Sequence, residues 1–386
     1  MPAARKNLVI LGSTGSIGRQ TVDVIKRLSS RGYSFVVRGL AAGKNLELLS
    51  KQIEQLRPVA VCAGTDSGAK YLRDRFPKLQ VSSGEQGLRE LAALEGTDVI
   101  VNALVGARGL PPTLEGLRHG CTVALANKES LVIGGELVLE ALQEYGGKIL
   151  PIDSEHNAVF QCLRAGGTAE VERIILTASG GPFLNTPIEK LGDVRPEQAL
   201  RHPNWRMGQR ITIDSATMVN KGFEVIEAHY LFSLPYERID VLIHPGSIIH
   251  SLVEYRDGSI LAELASPDMR IPIQYALTHP KRIKSGLEHL DLGQVAKLEF
   301  APLKQDKFPA FPIVLEAARR GGTAPAVINA ADEVLVGRFL NGELKFTDIA
   351  CGLRTILADH SIEKADLKNI LEADRWARAE AKALVC

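Results

Sequence analysis

The chain has 386 residues, 45% hydrophobic and 24% charged, with a formal net charge of +1. That length exceeds what one hydrophobic core serves, so two or three domains are expected, and the even charge balance excludes broad attraction to nucleic acid or an anionic membrane. Cys62, Cys121, Cys162, Cys351 and Cys386 are scattered without a C-x-x-C pair, which argues against a disulfide framework or a zinc site and suits a reducing cytosol. The apolar run at 8–11 is too short for a signal peptide, no later run reaches spanning length free of charge, and Met1 favours a native start.

The run Leu8-Val9-Ile10-Leu11 reads as a buried strand. Gly12, Gly15 and Gly18 follow at once, then apolar residues at helical spacing from Thr21 to Leu28. Strand, glycine turn and helix together form a pyrophosphate site, where glycine lets the backbone approach the ligand and the helix start offers free N–H groups. The spacing is G-x-x-G-x-x-G, so a tight turn without a ligand stays open. The second strand, 34–40, lacks the acidic residue that holds the ribose of NAD; Arg38 and Lys44 lie nearby instead, favouring the extra phosphate of NADP over the alternative of solvated surface charges. Strand-like runs at 59–62, 98–103, 122–126 and 148–152 alternate with helical segments at 46–56, 68–75, 86–94 and 109–119, which predicts a parallel sheet with right-handed crossovers. Lys128 follows one strand end, where it meets a ligand or simply opens the next helix.

Asp153 and Glu155 follow the strand at 148–152. On extended backbone their side chains point the same way, and two converging carboxylates call for a cation. The other reading is a helix cap at Asp153-Ser154, and the pair taken alone favours it. Runs at 173–177 and 210–213 are expected as strands delivering Ser179-Gly180-Gly181 and Asp214-Ser215, small hydroxyls suited to phosphate. Between them, His202-Pro203-Asn204-Trp205-Arg206-Met207-Gly208 reads as an ordered loop, either a lid whose His202 and Trp205 touch a ligand or a segment anchored by one aromatic. Segments 241–244, 248–255 and 259–265 are expected as antiparallel strands with a turn at Asp257-Gly258, a kind of sheet that often forms a dimer surface. His250, in an apolar run, reads as structural.

A helix is expected from Ser266 to about His279, then a linker over 280–304. Helical periodicity fills the rest, at 312–320, 325–340, 347–358 and 365–384, a bundle whose expected role is bracing, with Asn329 and Asp332-Glu333 as its notable polar residues.

The motifs at 12–18, 43–45 (Gly-Lys-Asn), 126–129 (Ala-Asn-Lys-Glu), 153–155 (Asp-Ser-Glu), 179–183, 202–205 (His-Pro-Asn-Trp), 214–224 and 266–276 resemble, in order and along the whole chain, those of the 1-deoxy-D-xylulose 5-phosphate reductoisomerase family. Gly246 departs from the family's usual glutamine and lies outside the chemical motifs. The resemblance implies an α/β protein with a Rossmann-like NADP-binding domain (1–152), an α+β catalytic domain with a sheet at the dimer surface (153–279), a linker (280–304) and a C-terminal helical bundle (305–386). It implies NADPH-dependent rearrangement and reduction of the sugar phosphate, with magnesium or manganese held by Asp153, Glu155 and Glu224. By the same resemblance Ser179, Ser215, Asn220 and Lys221 bind the phosphate, while Lys128, Ser154, Glu155, His202, Trp205 and Glu224 contact substrate. Lys128, Glu155 and His202 are then the catalytic residues, and Thr14, Gly15, Ser16, Ile17, Gly43, Lys44, Asn45, Asn127, Glu129 and Gly208 contact NADPH. A homodimer in the cytoplasm is expected. The competing readings are an NADP-dependent sugar-phosphate dehydrogenase without rearrangement, and an NADPH-binding sensor or scaffold without turnover.

Overall fold

A computed structural model describes residues 5–205 and 207–385. It divides into two compact units. The first comprises the described residues up to Ser130 with Val138–Ser154 and Asp268–Leu287; the second comprises Leu131–Leu137, Glu155–Pro267 and the chain from Glu288 onward.

The first unit is built on seven parallel strands: β1 (Lys6–Leu11), β2 (Phe35–Ala42), β3 (Ala60–Ala63), β4 (Gln80–Ser83), β5 (Val99–Asn102), β6 (Thr122–Leu125) and β7 (Lys148–Pro151). Their order is β4-β3-β2-β1-β5-β6-β7. Strands covered on both faces need apolar residues at every position, and β3 and β5 are buried throughout. The order reverses between β1 and β5, which opens a ligand crevice at their carboxyl ends. Sequence periodicity does not reveal β4, because Gln80-Val81-Ser82-Ser83 is a short, half-exposed edge strand without an apolar run. Arg38 lies within β2, four residues before its end, or about 13 Å back along the strand. Lys44 therefore stands at the carboxyl edge and Arg38 does not. The helix expected from Ser266 begins at Arg270 and runs to Thr278. It packs on the helix Ser16–Ser29, where the Arg270 guanidinium pairs with Asp268 (2.6 Å) and Asp23 (3.2 Å).

The second unit has a five-stranded sheet ordered β11-β10-β8-β9-β12. Its strands are β8 (Val171–Ala178), β9 (Ile239–Ile243), β10 (Ile249–Tyr255), β11 (Ile260–Leu264) and β12 (Ala301–Pro302). The β10–β11 hairpin turns at Asp257-Gly258 as expected, with Gly258 at φ +85°. β9 runs opposite to β10, as expected, but is not its neighbour: it lies between β8, to which it is parallel after the helical excursion, and β12, to which it is antiparallel. The strand expected at 210–213 is instead the start of the helix Gln209–Thr217. Ile211 and Ile213 mimic a period of two, but the buried set Thr212, Ile213, Ala216 and Thr217 is a helical stripe. Met218, at φ +65°, ends that helix, and the helix Val219–Phe232 begins at the next residue. Helices Ala310–Arg320, Ala324–Leu340, Phe346–Asp359 and Leu367–Ala383 follow the expected bundle. Among the described residues no helix is long and apolar enough to cross a membrane.

Candidate functional site

At the crevice of the first unit, Gly12 has φ +84°, and a side chain there would put its Cβ 2.4 Å from the Ala103 carbonyl oxygen. A Cβ on Gly18 would lie 2.3 Å from the Gly12 oxygen. These two glycines therefore serve close strand-to-helix packing. Gly15 serves the opening: it precedes the helix Ser16–Ser29 with no side-chain cap and no acidic residue in the first turn, and Gly15 and Ser16 are exposed between half-buried Thr14 and Ile17. Uncapped N–H groups at a helix start suit a pyrophosphate. Gln52, which the motifs do not reveal, clamps the turn by accepting from Ser13 Oγ (2.7 Å) and donating to the Ser13 carbonyl (2.8 Å). Beside it, exposed Gly43 and Lys44 follow β2, and Asn45 caps the next helix by accepting from the Leu48 N–H (3.0 Å). Past β6, Asn127 is buried and donates to the carbonyls of Leu104 and Gly106 (3.0 Å each), while Glu129 accepts from Asn127 Nδ2 (2.8 Å) and the Gly106 N–H (3.0 Å). Both thus shape the loop after β5, on which Val105 is left 68% exposed at the crevice edge.

Lys128 and Asp153 follow the adjacent strands β6 and β7, so their side chains meet: Nζ lies 2.6 Å from Oδ2. Asp153 immediately precedes the helix Ser154–Cys162, which places Ser154 and Glu155 in its first turn rather than on extended backbone. The cap position and the convergence of carboxylates therefore coexist. From the helix Val219–Phe232, Lys221 Nζ donates to Glu155 Oε1 (2.9 Å), to the Thr177 carbonyl (2.5 Å) and to Glu224 Oε2, and Asn220 Nδ2 donates to Glu224 Oε1 (2.5 Å). Burial pulls the Lys221 ammonium down, but Glu155 and Glu224 outweigh it and hold the group above its ordinary 10.5. One oxygen each from Asp153, Glu155 and Glu224 lies within 4.8 Å of the others. Three converging hard-oxygen donors fit magnesium or manganese, and like charges this close require cations. Asp153, His156 and Glu227 form a second such trio. Its imidazole Nε2 donates to the Glu224 carbonyl (2.8 Å), and Nδ1 lies 3.4 Å from Glu227, so His156 braces the turn that carries Glu224. No motif marks His156, whose only signal in the sequence is its place beside Glu155.

The hydroxyl residues assemble in the second unit. Gly181 sits so close to the helix Gln209–Thr217 that a Cβ there would lie 2.9 Å from the Ser215 carbonyl, which brings the Ser179 turn against Ser215. Asn220 and Lys221 lie in the first turn of a helix with no acidic residue there and no side-chain cap. In the loop, His202 Nδ1 accepts from the N–H groups of Asn204 (3.2 Å) and Trp205 (3.0 Å). Nε2 therefore carries the ring proton and donates to Ser179 Oγ (3.0 Å). Asn204 pins the loop by donating to the Pro245 carbonyl (2.5 Å) and Ser247 Oγ (2.8 Å). Trp205 lies 6.2 Å from the His250 ring, Gly208 precedes the helix Gln209–Thr217, and Arg206 is outside the described residues.

Burial holds His202 below its ordinary 6.5. A depressed folded value means the neutral ring and its loop turn persist above pH 6.5 and are lost as pH falls below it. The chain has two tryptophans, so Trp376→Phe leaves Trp205 as the reporter. Its emission is expected to change in an acid transition with a midpoint below 6.5 that His202→Asn removes; a midpoint above 6.5 would contradict this account.

A parallel sheet with an uncapped glycine turn at its switch point, and a carboxylate trio close to hydroxyl, amide and lysine donors, define a dinucleotide-dependent, metal-assisted oxidoreductase of the α/β class. The sequence model of 1-deoxy-D-xylulose 5-phosphate reductoisomerase matches residues 8–135, and models of that protein's C-terminal domains match 149–232 and 264–380. The reductoisomerase of Prosthecochloris aestuarii is 48% identical over 98% of this chain and 99% of its own length, and that of Chlorobaculum tepidum 48% over 98% and 100%. Among solved structures, DOX-P reductoisomerase in complex with NADPH, fosmidomycin and magnesium superposes with a TM-score of 0.92 at 41% identity, covering 98% of each chain. The Zymomonas mobilis enzyme in complex with NADPH gives 0.91 at 40%, covering 98% of this chain and 99% of its own. The chain belongs to the 1-deoxy-D-xylulose 5-phosphate reductoisomerase family.

Proposed function

We propose that the protein converts 1-deoxy-D-xylulose 5-phosphate to 2-C-methyl-D-erythritol 4-phosphate by rearrangement and NADPH-dependent reduction, assisted by magnesium or manganese, in the non-mevalonate route to isoprenoid precursors. The observation that carries this reading is the convergence of Asp153, Glu155 and Glu224 in a chain whose relatives were crystallised with NADPH and magnesium. Asp153, Glu155 and Glu224 would hold the divalent ion, which supplies Lewis acidity toward neighbouring hydroxyl and carbonyl oxygens. Ser179, Ser215, Asn220, Lys221 and the helix start at Val219 anchor the phosphate, giving binding energy remote from the reacting carbons. Lys128, beside Asp153, and Glu155 in the neighbouring helical turn hold and return the proton moved during rearrangement, and Ser154 contacts the substrate backbone. His202 donates from Nε2 toward the Ser179 side, leaving that hydroxyl's own proton for the phosphate, while Trp205 and the 202–208 loop exclude water from the aldehyde. Thr14–Ile17, Gly43–Asn45 and Gly208 contact NADPH, the source of the hydride, with Asn127 and Glu129 shaping the adjoining loop.

In functional terms residues 1–152 serve the cofactor, 153–279 the metal, substrate and dimer contact, 280–304 the linkage and 305–386 the bracing. A homodimer is supported by the edge strand β11, whose Ile260 and Leu261 are exposed. A cytoplasmic location is supported by the substrate and cofactor, both intracellular solutes, and by scattered cysteines without a C-x-x-C pair. Excess chelator is expected to abolish deoxyxylulose-phosphate-dependent loss of NADPH absorbance, with magnesium or manganese restoring it. Full activity in chelator would favour a sugar-phosphate dehydrogenase without rearrangement.

A further inference from the structure

The helix Gln209–Thr217 leaves the 202–208 loop and carries Ser215, yet its first turn is held by the C-terminal bundle. The Arg210 guanidinium donates to Asn329 Oδ1 (2.9 Å) and Asp332 Oδ2 (3.1 Å), and lies 3.4 Å from Glu333 Oε2 and 3.5 Å from Asp214 Oδ2. Asn329, Asp332 and Asp214 are buried. The same Glu333 oxygen also accepts from Arg378 (2.9 Å), which pairs with Asp374 (2.7 Å) in the last helix. The buried carboxylates of Asp214 and Asp332 are costly without a cation, and the Arg210 guanidinium lies beside both. Asp214 is one residue before Ser215, and it shares the guanidinium with Asp332.

We propose that Arg210 is a positioning residue for phosphate recognition: it fixes Ser215 and the carboxyl end of the 202–208 loop to the helix Ala324–Leu340. The bundle is thereby part of substrate selection as well as bracing. This rests on the reading of Ser215 as a phosphate ligand. A planar fork is needed because its donors face Asn329, Asp332 and Glu333 at once; a lysine ammonium is a point charge and cannot span them.

The test compares Arg210→Lys with Ser215→Ala in the full-length protein, measuring KM for deoxyxylulose phosphate, kcat, NADPH affinity and melting temperature. Arg210→Lys is expected to raise KM about tenfold or more, as slight misplacement of a positioning group does, with NADPH affinity unchanged and kcat altered much less. A merely structural role would lower the melting temperature and the active fraction while leaving KM alone. Wild-type KM in Arg210→Lys, with a raised KM in Ser215→Ala, overturns the inference and spares the phosphate reading. Wild-type KM in Ser215→Ala overturns both. Should Arg210→Lys not fold, Asp332→Ala decides: it removes one acceptor of the guanidinium fork, and the inference stands only if its KM rises.

Discussion

Glu224→Gln is expected to lower turnover by about 10³-fold, the order seen when one preorganised electrostatic contact to a transition state is removed, while NADPH affinity stays near its starting value. The side chain is 1% exposed and accepts from Asn220 and Lys221, so the amide keeps the volume but loses the charge that a metal requires. Cofactor affinity is expected to be spared because the glycine turn proposed for the dinucleotide, with its Ser13–Gln52 clamp, uses none of these groups. Substrate-dependent NADPH oxidation, paired with a fluorescence titration of NADPH binding, checks both halves. Equal turnover in variant and parent would remove Glu224 from the ligand set, and a large loss of NADPH affinity would mean that the substitution acts through folding.

Lys221→Met is expected to destabilise the protein by about 3–5 kcal/mol, the range for removing one partner of a buried ion pair. Lys221 is 4% exposed and its ammonium faces Glu155, Glu224 and the Thr177 carbonyl. Without it two carboxylates remain close together, and part of the loss should return on adding magnesium, because a divalent ion neutralises the same charges. Urea unfolding with and without magnesium measures this. A variant as stable as the parent in chelator would show that the ammonium does not offset that repulsion.

Much of this architecture is legible in the chain itself, for physical reasons that differ by element. The strands β3 and β5 are covered on both faces, so they announce themselves as short apolar runs. The bundle helices are framed by strong punctuation, such as Gly321-Gly322 and Asn341-Gly342. What escaped was local periodicity overruled by tertiary context. Ile211 and Ile213 alternate like a strand, yet they sit on a helix whose buried stripe extends to Ala216 and Thr217. β4 carries no apolar run, and the place of β9 beside β8 depends on an excursion of about sixty residues that no local pattern encodes. Of the site, the residue types were readable and their company was not. The spacing of Asp153 and Glu155 converges only on extended backbone, whereas the chain there is a cap and a helical turn, and the arrival of Glu224, the brace from His156 and the grip of Arg210 are long-range contacts.

The contact between Gly181 and the backbone at Ser215 has a mechanical consequence. With no side chain to act as a spacer, the two hydroxyl-bearing walls touch main chain to main chain and move as one body. Widening the gap between them would mean shifting the 179–181 turn and the helix Gln209–Thr217 as wholes. Asn204, fastened at Pro245 and Ser247, ties its stretch of chain to a different strand end, so that stretch is held independently of the two walls.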